Sequence, residues 1–170
     1  MSAPPLRAGV LVLSDKGSRG ERKDTAGPAL VNFLKEHGVP DAMLELLPDD
    51  RDAIVHKLRF WADDECYALV LTCGGTGISL RDVTPEATLE VITRELPGFG
   101  ERMRAANFAQ TPHALVSRAL AGTRGRTLII NLPGSPRAAL ENIEAVWAAV
   151  PHLIDKLQGD DADCAPRDEG

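Results

Sequence analysis

Aromatic residues and cysteines are both scarce in this sequence. Only 4% of the 170 residues are aromatic, so the 44% hydrophobic content predicts a core made mainly of Ala, Val, Leu and Ile. The three cysteines, Cys66, Cys73 and Cys164, are odd in number and lack the spacing of a metal site. This indicates reduced thiols in a cytoplasmic protein. The four histidines form no paired metal motif, which favours surface or packing roles for them.

The sequence also lacks long hydrophobic runs and any stripe of basic residues. Its longest apolar runs have the length of strands, so we expect no signal peptide, no transmembrane segment and no membrane partner. The net charge of −6 is uneven, because residues 159–170 contain five acids and one arginine, a net −4, and residues 1–158 are near −2. The missing basic stripe argues against nucleic acid as the main partner. We expect one domain over 1–158 and a disordered acidic tail over 159–170.

The stretch from Ala68 to Thr88 organises the chain. Its apolar run, 68–71, predicts a strand buried on both faces, as in a parallel sheet. Glycines at 74, 75 and 77 follow, and glycine allows a backbone to approach a ligand closely. Thr84-Pro85 then predicts a helix start with Thr84 as the N-cap. A strand, a glycine turn and a helix start form anion sites in α/β proteins, and a tight turn without a ligand is the alternative.

Two known phosphate loops do not match this stretch. Gly77 is followed by Ile78, whereas a Walker A loop requires Gly-Lys-Ser/Thr. The dinucleotide fingerprint requires a small residue where Leu80 stands. The stretch is therefore a different kind of glycine loop, with the acid Asp82 close behind it.

Apolar runs and helical periodicities alternate along the rest of the chain. They predict strands over 7–13, 42–47, 68–71, 115–121 and 127–132, and helices over 28–37, 51–63, 85–94, 99–109 and from 136 onward, with a kink or break at Pro151. A five-residue turn at 122–126 predicts one antiparallel pair. The fold class is three-layer α/β, with a doubly wound, mostly parallel sheet and helices on both faces. The long connection 16–24 indicates either a functional loop or a flexible insertion.

In such a sheet, the loops at the carboxyl ends of the strands share one edge, where ligands bind. This edge is predicted to collect glycines, hydroxyls and acids: Ser14, Asp15, Asp49, Asp50, the 74–77 loop, Asp82, Asn131, Gly134 and Ser135. Glycines, hydroxyls and helix N-termini bind phosphates. Carboxylates beside phosphates repel them unless a hard cation intervenes, which predicts Mg²⁺. Capping of the next helix is the alternative role of Asp49 or Asp50, and Cys73 is interpreted as a small packing residue.

Six segments occur in the order found in one known family. They are Thr-Cys-Gly-Gly-Thr-Gly at 72–77, Arg-Asp-Val-Thr-Pro-Glu-Ala-Thr at 81–88, Pro-Gly-Phe-Gly at 97–100, Ser117-Arg118, Arg124-Gly125 and Asn-Leu-Pro-Gly-Ser at 131–135. With them, residues 7–157 resemble the molybdopterin adenylyltransferase family, the family of MogA, MoaB and the gephyrin G domain. The resemblance implies a homotrimer with ATP and molybdopterin as substrates. ATP adenylylates the terminal phosphate of molybdopterin and releases pyrophosphate, in preparation for metal insertion by a downstream protein.

The resemblance also implies roles for individual residues. Asp49 and Asp82 match the two aspartates that the family uses for catalysis and for Mg²⁺. Nucleotide and phosphate binding falls to Thr72, Gly74, Gly75, Thr76 and Gly77, together with Ser14 and Asp15. Molybdopterin binding falls to Ser117, Arg118, Asn131, Gly134 and Ser135. Arg81 and Arg118 pair either with substrate phosphates or with neighbouring acids.

Two other functions stay open at this point. One is a non-catalytic molybdopterin-binding or scaffold module, and the other is a general nucleotide-binding regulator. Pyrophosphate release that depends on added molybdopterin separates the enzyme from both.

Overall fold

The structure is a computed structural model that describes residues 6–159. Six strands form one sheet in the order β2-β1-β3-β6-β5-β4. Their bounds are β1 Arg7–Leu13, β2 Asp41–Leu47, β3 Leu69–Cys73, β4 Arg94–Glu95, β5 Ala121–Arg124 and β6 Thr127–Leu132. Strands β2, β1, β3 and β6 run parallel, and β5 pairs antiparallel with β6. The predicted fold class is confirmed. The two-residue β4, antiparallel to β5, was not predicted because it is too short to show a periodicity.

Helices cover both faces of the sheet. Their bounds are α1 Asp15–Ser18, α2 Ala26–Glu36, α3 Arg51–Arg59, α4 Thr84–Val91, α5 Pro97–Phe108, α6 Pro136–Trp147 and α7 Val150–Gln158. A π-helical turn, Phe60–Asp64, extends α3. The predicted break near Pro151 is confirmed, since α6 ends at Trp147 and α7 begins at Val150. None of the helices within residues 6–159 combines the length and the apolar character of a membrane span.

The predicted strand over 115–121 is wrong. A 3-10 helix, Pro112–Val116, occupies its first part, and β5 begins only at Ala121. Thr111 starts this turn, because its hydroxyl accepts a hydrogen bond from the backbone N–H of His113 at 3.3 Å and Pro112 follows. The apolar run that suggested a strand leaves Leu115 65% exposed. The hairpin turn is also shorter than predicted, with only Gly125 and Arg126 between β5 and β6.

The alternation of side chains along β1 builds two separate cores. Val10 and Val12 pack with Leu30 of α2 on one face of the sheet, where residues of α5, α6 and α7 complete the cluster. Leu11 and Leu13 point to the other face, against α3 and α4. Strands β3 and β6 are buried along their whole length. This burial explains why they appeared in the sequence as continuous apolar runs.

The parallel register brings four strand ends to one edge of the sheet. Leu13 pairs with Leu47, and Cys73 pairs with Val12 on one side and with Leu132 on the other. The backbone continues this alignment for one residue past β1 and β3: the N–H of Ser14 donates to the carbonyl of Leu47, and the N–H of Gly74 donates to that of Leu132, both at 3.0 Å. The loops that follow these strands are therefore neighbours.

The prediction of an acidic tail lies outside the described residues, except for Gly159. Gly159 ends α7 in the left-handed conformation.

Candidate functional site

A cavity of about 640 Å³ opens at this edge of the sheet. Eight of the predicted site residues line it: Ser14, Asp15, Asp49, Gly74, Gly75, Asp82, Gly134 and Ser135. They come from the ends of all four parallel strands, as the position of the edge predicted. The parallel register of the four strands therefore brings these loops together around one cavity.

Gly74 and Gly75 form the floor of the cavity beside β1. Both have positive φ, +110° and +65°, and residues other than glycine rarely adopt this backbone conformation. A Cβ at position 74 would collide with the carbonyl of Leu13, and one at position 75 would collide with the hydroxyl of Thr84. The glycines are thus required both by their conformation and by close packing.

Thr84 supports this glycine turn from below. Its hydroxyl donates to the carbonyl of Gly74 at 2.9 Å, and its backbone N–H donates to the carbonyl of Gly75 at 3.2 Å. The prediction that Thr84 caps α4 is wrong: the helix begins at Thr84, Val83 holds the cap position, and neither makes a side-chain cap. The hydroxyl of Thr84 instead fixes the loop, because it is fully buried and the Gly74 carbonyl is its acceptor.

Asn131 and Thr72 lie beneath the loop, inside the fold. The amide of Asn131 donates to the hydroxyls of Thr72 and Thr88, both at 2.9 Å. The hydroxyl of Thr88 in turn donates to the carbonyl of Thr84 at 2.8 Å. All four side chains have no exposed area. The structure therefore places Thr72 and Asn131 in a buried polar network that holds α4 to the sheet, and neither lines the cavity.

Arg118 holds the outer part of the glycine loop. Its guanidinium donates to the carbonyl of Gly77 at 2.7 Å and to that of Asp82 at 2.8 Å, and it forms an ion pair with Glu86. Its backbone N–H also donates to the carbonyl of Thr76 at 2.9 Å. Of the two pairings that the sequence left open for Arg118, the structure contains the one with a neighbouring acid. Gly77, Thr76 and Arg118 do not line the cavity.

Ser117 faces a different cavity. This second cavity has a volume of about 190 Å³ and lies between α5 and α6, where Met103, Asn107 and Asn142 line it. Of the residues assigned to molybdopterin, only Gly134 and Ser135 therefore line the main cavity. The Ser135 hydroxyl accepts from the backbone N–H of Ala138 at 3.3 Å and thereby caps α6.

Asp15 and Asp49 are locked together by reciprocal hydrogen bonds. The backbone N–H of Asp15 donates to the Asp49 carboxylate, and the backbone N–H of Asp49 donates to the Asp15 carboxylate, each at 3.0 Å. Arg81 binds both oxygens of Asp15 at 2.9 Å. This bidentate hydrogen bonding lowers the pKa of Asp15. Asp15 and Arg81 thus neutralise each other at the rim.

Asp49 and its neighbour Asp50 differ in burial and in hydrogen bonding. Asp50 is exposed and caps α3 through the backbone N–H of Ala53 at 2.8 Å. Asp49 is half-buried, and its Oδ1 is a buried atom with no hydrogen-bond partner among the described residues. Burial raises the pKa of Asp49, the negative charges of Asp15 and Asp82 raise it further, and the hydrogen bond from Asp15 opposes the shift. The alternative of helix capping therefore applies to Asp50 and not to Asp49.

Asp82 follows the tip of the glycine loop and lies at the cavity. Its Oδ2 accepts from the backbone N–H of Ser79 at 2.9 Å, which closes the tip of the loop. Asp82 lines the cavity, and its charge acts on Asp49.

Residues 6–159 contain no cluster of three or more His, Cys, Asp or Glu side chains able to hold a metal. Two carboxylates, one with an unpartnered oxygen, still fit Mg²⁺, which keeps several waters and takes further ligands from substrate phosphates.

Cys73 is the one thiol at the cavity among the described residues. Its Sγ donates to the carbonyl of Pro133 at 3.2 Å, and burial raises its pKa to about 12. A thiol with this pKa stays neutral and is a poor nucleophile. This agrees with its interpretation as a packing residue.

Residues of the 16–24 connection also line the cavity, and they were not predicted as site residues. Lys16, Arg22 and Lys23 contribute basic side chains, and Asp24 and Thr25 lead into α2. The Asp24 carboxylate accepts from the backbone N–H of Gly27 at 3.0 Å, so α2 begins at Ala26, two residues earlier than predicted. The unusual length of the connection was the only sequence signal of this role.

An α/β sheet with a glycine loop, helix N-termini and acids at its carboxyl edge is typical of proteins that bind phosphorylated ligands. Residues 9–152 match the family described as a probable molybdopterin binding domain. Since this match spans most of the sequence, the chain belongs to the molybdopterin-binding domain family.

Individual relatives agree with this assignment. The chain is 42% identical over 156 residues to the molybdopterin adenylyltransferase of Helicobacter pylori strain J99, with 91% of this chain and 89% of that protein covered. It is 39% identical over 175 residues to the molybdopterin adenylyltransferase of Escherichia coli K12, with coverages of 95% and 90%. The solved structure of the molybdopterin biosynthesis enzyme MoaB from Thermus thermophilus is 49% identical, with a TM-score of 0.86 and coverages of 91% and 97%. The structure of the tungsten cofactor synthesizing protein MoaB from Pyrococcus furiosus is 31% identical, with a TM-score of 0.82 and coverages of 92% and 99%.

Proposed function

We propose that this protein is a molybdopterin adenylyltransferase of molybdenum cofactor biosynthesis. In the proposed reaction, the terminal phosphate of molybdopterin attacks the α-phosphorus of ATP. A new phosphorus–oxygen bond forms, the bond between the α- and β-phosphates breaks, and pyrophosphate leaves. The observation that supports this most directly is the buried, unpartnered Oδ1 of Asp49 beside the glycine turn, in a chain related to proteins of that name.

Phosphate binding is assigned to the backbone of the glycine turn and to the start of α6. Gly74 and Gly75 bring the main chain to the cavity without side chains, and Gly134 and Ser135 bring the N-terminal end of a 12-residue helix. A helix N-terminus presents N–H groups and a positive dipole to an anion. Ser14 is the N-cap of α1, which orients the backbone at the end of β1.

Asp49 and Asp82 are the residues that would hold Mg²⁺. When bound there, Mg²⁺ would neutralise the approaching phosphates and the pyrophosphate leaving group. Asp15 orients Asp49 through the reciprocal hydrogen bonds and leaves its Oδ1 free for a ligand. No residue of the chain needs to form a covalent intermediate, so the side chains position the two substrates and balance their charge.

Product analysis tests this function. Incubation with ATP, Mg²⁺ and molybdopterin should give adenylylated molybdopterin and one pyrophosphate per adenylyl group, as measured by mass spectrometry and a pyrophosphate assay. Pyrophosphate release should require molybdopterin. Tight binding of molybdopterin without any turnover would contradict the enzyme and support a binding module.

We further propose that the protein is a cytoplasmic homotrimer that delivers its product to a metal-insertion protein. Four large hydrophobic side chains are exposed on two segments near the glycine loop: Ile78 at 75%, Leu80 at 99%, Leu115 at 65% and Val116 at 48%. The hydrogen bond between Arg118 and Thr76 links these segments, and exposed apolar groups of this kind favour contact with another chain. Light scattering should give three times the mass of one chain, and a monomer at micromolar concentration would contradict the proposal.

A further inference from the structure

The connection 16–24, called the basic loop below, is held at both ends. At its start, the hydroxyl of Ser14 accepts from the backbone N–H of Gly17 at 3.0 Å and caps α1. At its end, the carboxylate of Asp24 accepts from Gly27 at the start of α2. Between them, the N–H of Glu21 donates to the carbonyl of Lys16 at 2.9 Å, so the loop folds back on itself. These bonds fix the conformation of the loop, whose residues line the cavity.

The cations of the basic loop are of two kinds. Arg19 forms a bidentate ion pair with Glu21, with distances of 2.8 and 3.1 Å, and does not line the cavity. Lys16, Arg22 and Lys23 do line the cavity, and none of them forms an ion pair with another residue in the 6–159 range. Each of these three is exposed at the cavity mouth. With Asp24 as the one acid of the loop that lines the cavity, the loop presents a net positive charge to this side of it.

The remaining charges around the cavity are mostly acidic. Asp15 is neutralised by Arg81, and Asp24, which accepts the backbone N–H of Gly27, keeps a negative charge that offsets one of the three cations of the basic loop. Asp49 and Asp82 remain, and the pair can compensate one divalent cation. A triphosphate together with a phosphate monoester carries more negative charge than one divalent cation balances. The excess requires cationic side chains, and the basic loop contains the ones that line this cavity within residues 6–159.

We propose that Arg22 and Lys23, with Lys16 beside them, bind phosphate groups in this cavity and position them against Asp49 and Asp82. This inference rests on the proposed function. Two sources of phosphate are available there, the β- and γ-phosphates of ATP and the terminal phosphate of molybdopterin. Arginine binds two phosphate oxygens at once through its planar guanidinium, and lysine acts as a point charge. The basic loop is thereby a substrate-binding element and not a surface insertion.

The test compares matched variants of the same loop. Arg22→Gln with Lys23→Gln removes two charges that line the cavity, and Arg19→Gln removes one charge that does not. Calorimetric titration with Mg·ATP, with Mg·pyrophosphate and with molybdopterin gives the affinity for each phosphate source. We expect the double variant to lose about tenfold or more in affinity for at least one probe, since charge-assisted hydrogen bonds contribute about this much. Arg19→Gln should stay within about twofold of the unmodified protein for all probes, because surface ion pairs contribute little.

The pattern of losses assigns the phosphate. Weaker binding of both Mg·ATP and Mg·pyrophosphate places the triphosphate against the basic loop, and weaker binding of molybdopterin alone places the monoester there. Arg22→Lys with Lys23→Arg keeps both charges and should restore most of the affinity. Unchanged affinity of the double variant for all three probes would overturn the proposal. Failure of the unmodified protein to bind any probe would instead contradict the proposed function.

Discussion

Thr84 and Ser135 each precede a proline in the first turn of a helix, yet their hydroxyls have different roles in the site. Ser135 is exposed, caps α6 and lines the cavity. Thr84 has no exposed area, and its hydroxyl is bonded to the carbonyl of Gly74 below the cavity floor. The same local pattern thus caps a helix at one strand end and supports a ligand loop at the next. Burial decides between the two roles, since a buried hydroxyl must satisfy the nearest buried carbonyl.

This comparison extends to the whole site. A lining layer, containing Asp15, Asp49, Gly75, Asp82 and Ser135, faces the cavity. A supporting layer, containing Thr72, Thr84, Thr88, Asn131 and Arg118, lies behind it and bonds mainly to loop backbone and to its own members. Changes in the lining layer should reduce turnover while the fold is kept, and changes in the supporting layer should reduce stability first. The four predictions below test this division, beginning with the largest effect.

Asp82→Asn should lower kcat about a hundredfold or more with little change in molybdopterin affinity. The substitution keeps the side chain's shape and removes the negative charge that we propose binds Mg²⁺. A hundredfold loss in kcat is typical when one preorganised electrostatic group is removed. Single-turnover rates at saturating Mg²⁺ and ATP measure it, and Asp49→Asn should behave similarly. The double variant should lose less than the product of the two single losses, as residues acting through one ion do.

Asp50→Asn is the matched control for these rates. Asp50 is the neighbour of Asp49, does not line the cavity and caps α3, and asparagine caps helices as well as aspartate does. Its rate should stay near that of the unmodified protein. A near-normal rate in Asp82→Asn would contradict the proposed role of Asp82 in binding Mg²⁺.

Gly75→Ala should reduce both stability and nucleotide affinity, because this residue belongs to the floor of the cavity and also touches the supporting layer. Its φ of +65° disfavours a side chain, and a Cβ would collide with the hydroxyl of Thr84. We expect a loss of about 1–3 kcal/mol in the free energy of unfolding, as for a strained backbone position. We also expect roughly tenfold weaker ATP binding, which corresponds to about 1.4 kcal/mol.

Denaturant unfolding and calorimetric titration separate these two effects. Gly38, which also has positive φ but has no neighbour near its Cβ position, provides the control Gly38→Ala. That variant should lose some stability and no ATP affinity. Full ATP affinity in Gly75→Ala would mean that the glycine turn does not contact the nucleotide.

Thr84→Val should destabilise the protein by about 1–3 kcal/mol, because it leaves the buried carbonyl of Gly74 without its donor. Ser135→Ala should cost only about 1 kcal/mol, the usual value for a lost N-cap. Urea unfolding of the two variants measures the difference directly. Equal losses would contradict the distinction between the buried and the exposed hydroxyl.

The smallest expected effect is a gain in stability for Asp49→Asn in Mg²⁺-free buffer. Burial raises the pKa of Asp49 in the folded protein above its unfolded value, so the folded state binds the proton more tightly. The ionised carboxylate therefore destabilises the fold at pH values above the raised pKa, and this cost disappears below the unfolded pKa, near about 4. Asp49→Asn should have an equal or higher Tm at neutral pH, and this advantage should vanish as the pH falls toward the unfolded pKa.

Melting curves of Asp49→Asn and Asp50→Asn across this pH range check the prediction. Asp50 is exposed and its carboxylate is satisfied by the α3 cap, so its variant should show no comparable gain at neutral pH. A lower Tm for Asp49→Asn at neutral pH would mean that the buried Oδ1 has a stabilising partner.

Much of the fold followed from local patterns. The bounds of β6, Thr127–Leu132, and of β1, Arg7–Leu13, agree with their predictions, since buried strands give continuous apolar runs. The 115–121 segment failed because an apolar run does not reveal whether its side chains are buried. Leu115 and Val116 are apolar and exposed, and Thr111-Pro112 started a turn in place of a strand.

The candidate site was predicted in outline, and its inner arrangement was not. Asp49 and Asp50 are adjacent in sequence, and only the hydrogen bonds show that Asp50 caps α3 while Asp49 faces Asp15. Asn131 was predicted at the cavity because it lies near the end of a strand that reaches this edge. Its side chain instead points to the face covered by α4, where it meets Thr88.

The sequence by itself determined the doubly wound sheet, the edge at which its loops meet and the glycine turn, because apolar runs, helix periodicity and glycine placement can be recognised locally along the chain. Only the tertiary structure decided which polar residues line the cavity and which support it. It also brought the basic loop 16–24 to the same cavity as Asp49 and Asp82. That decision depends on which face of a strand a neighbouring helix covers and on how far a long loop folds back. Both are set by packing between segments that are distant in sequence.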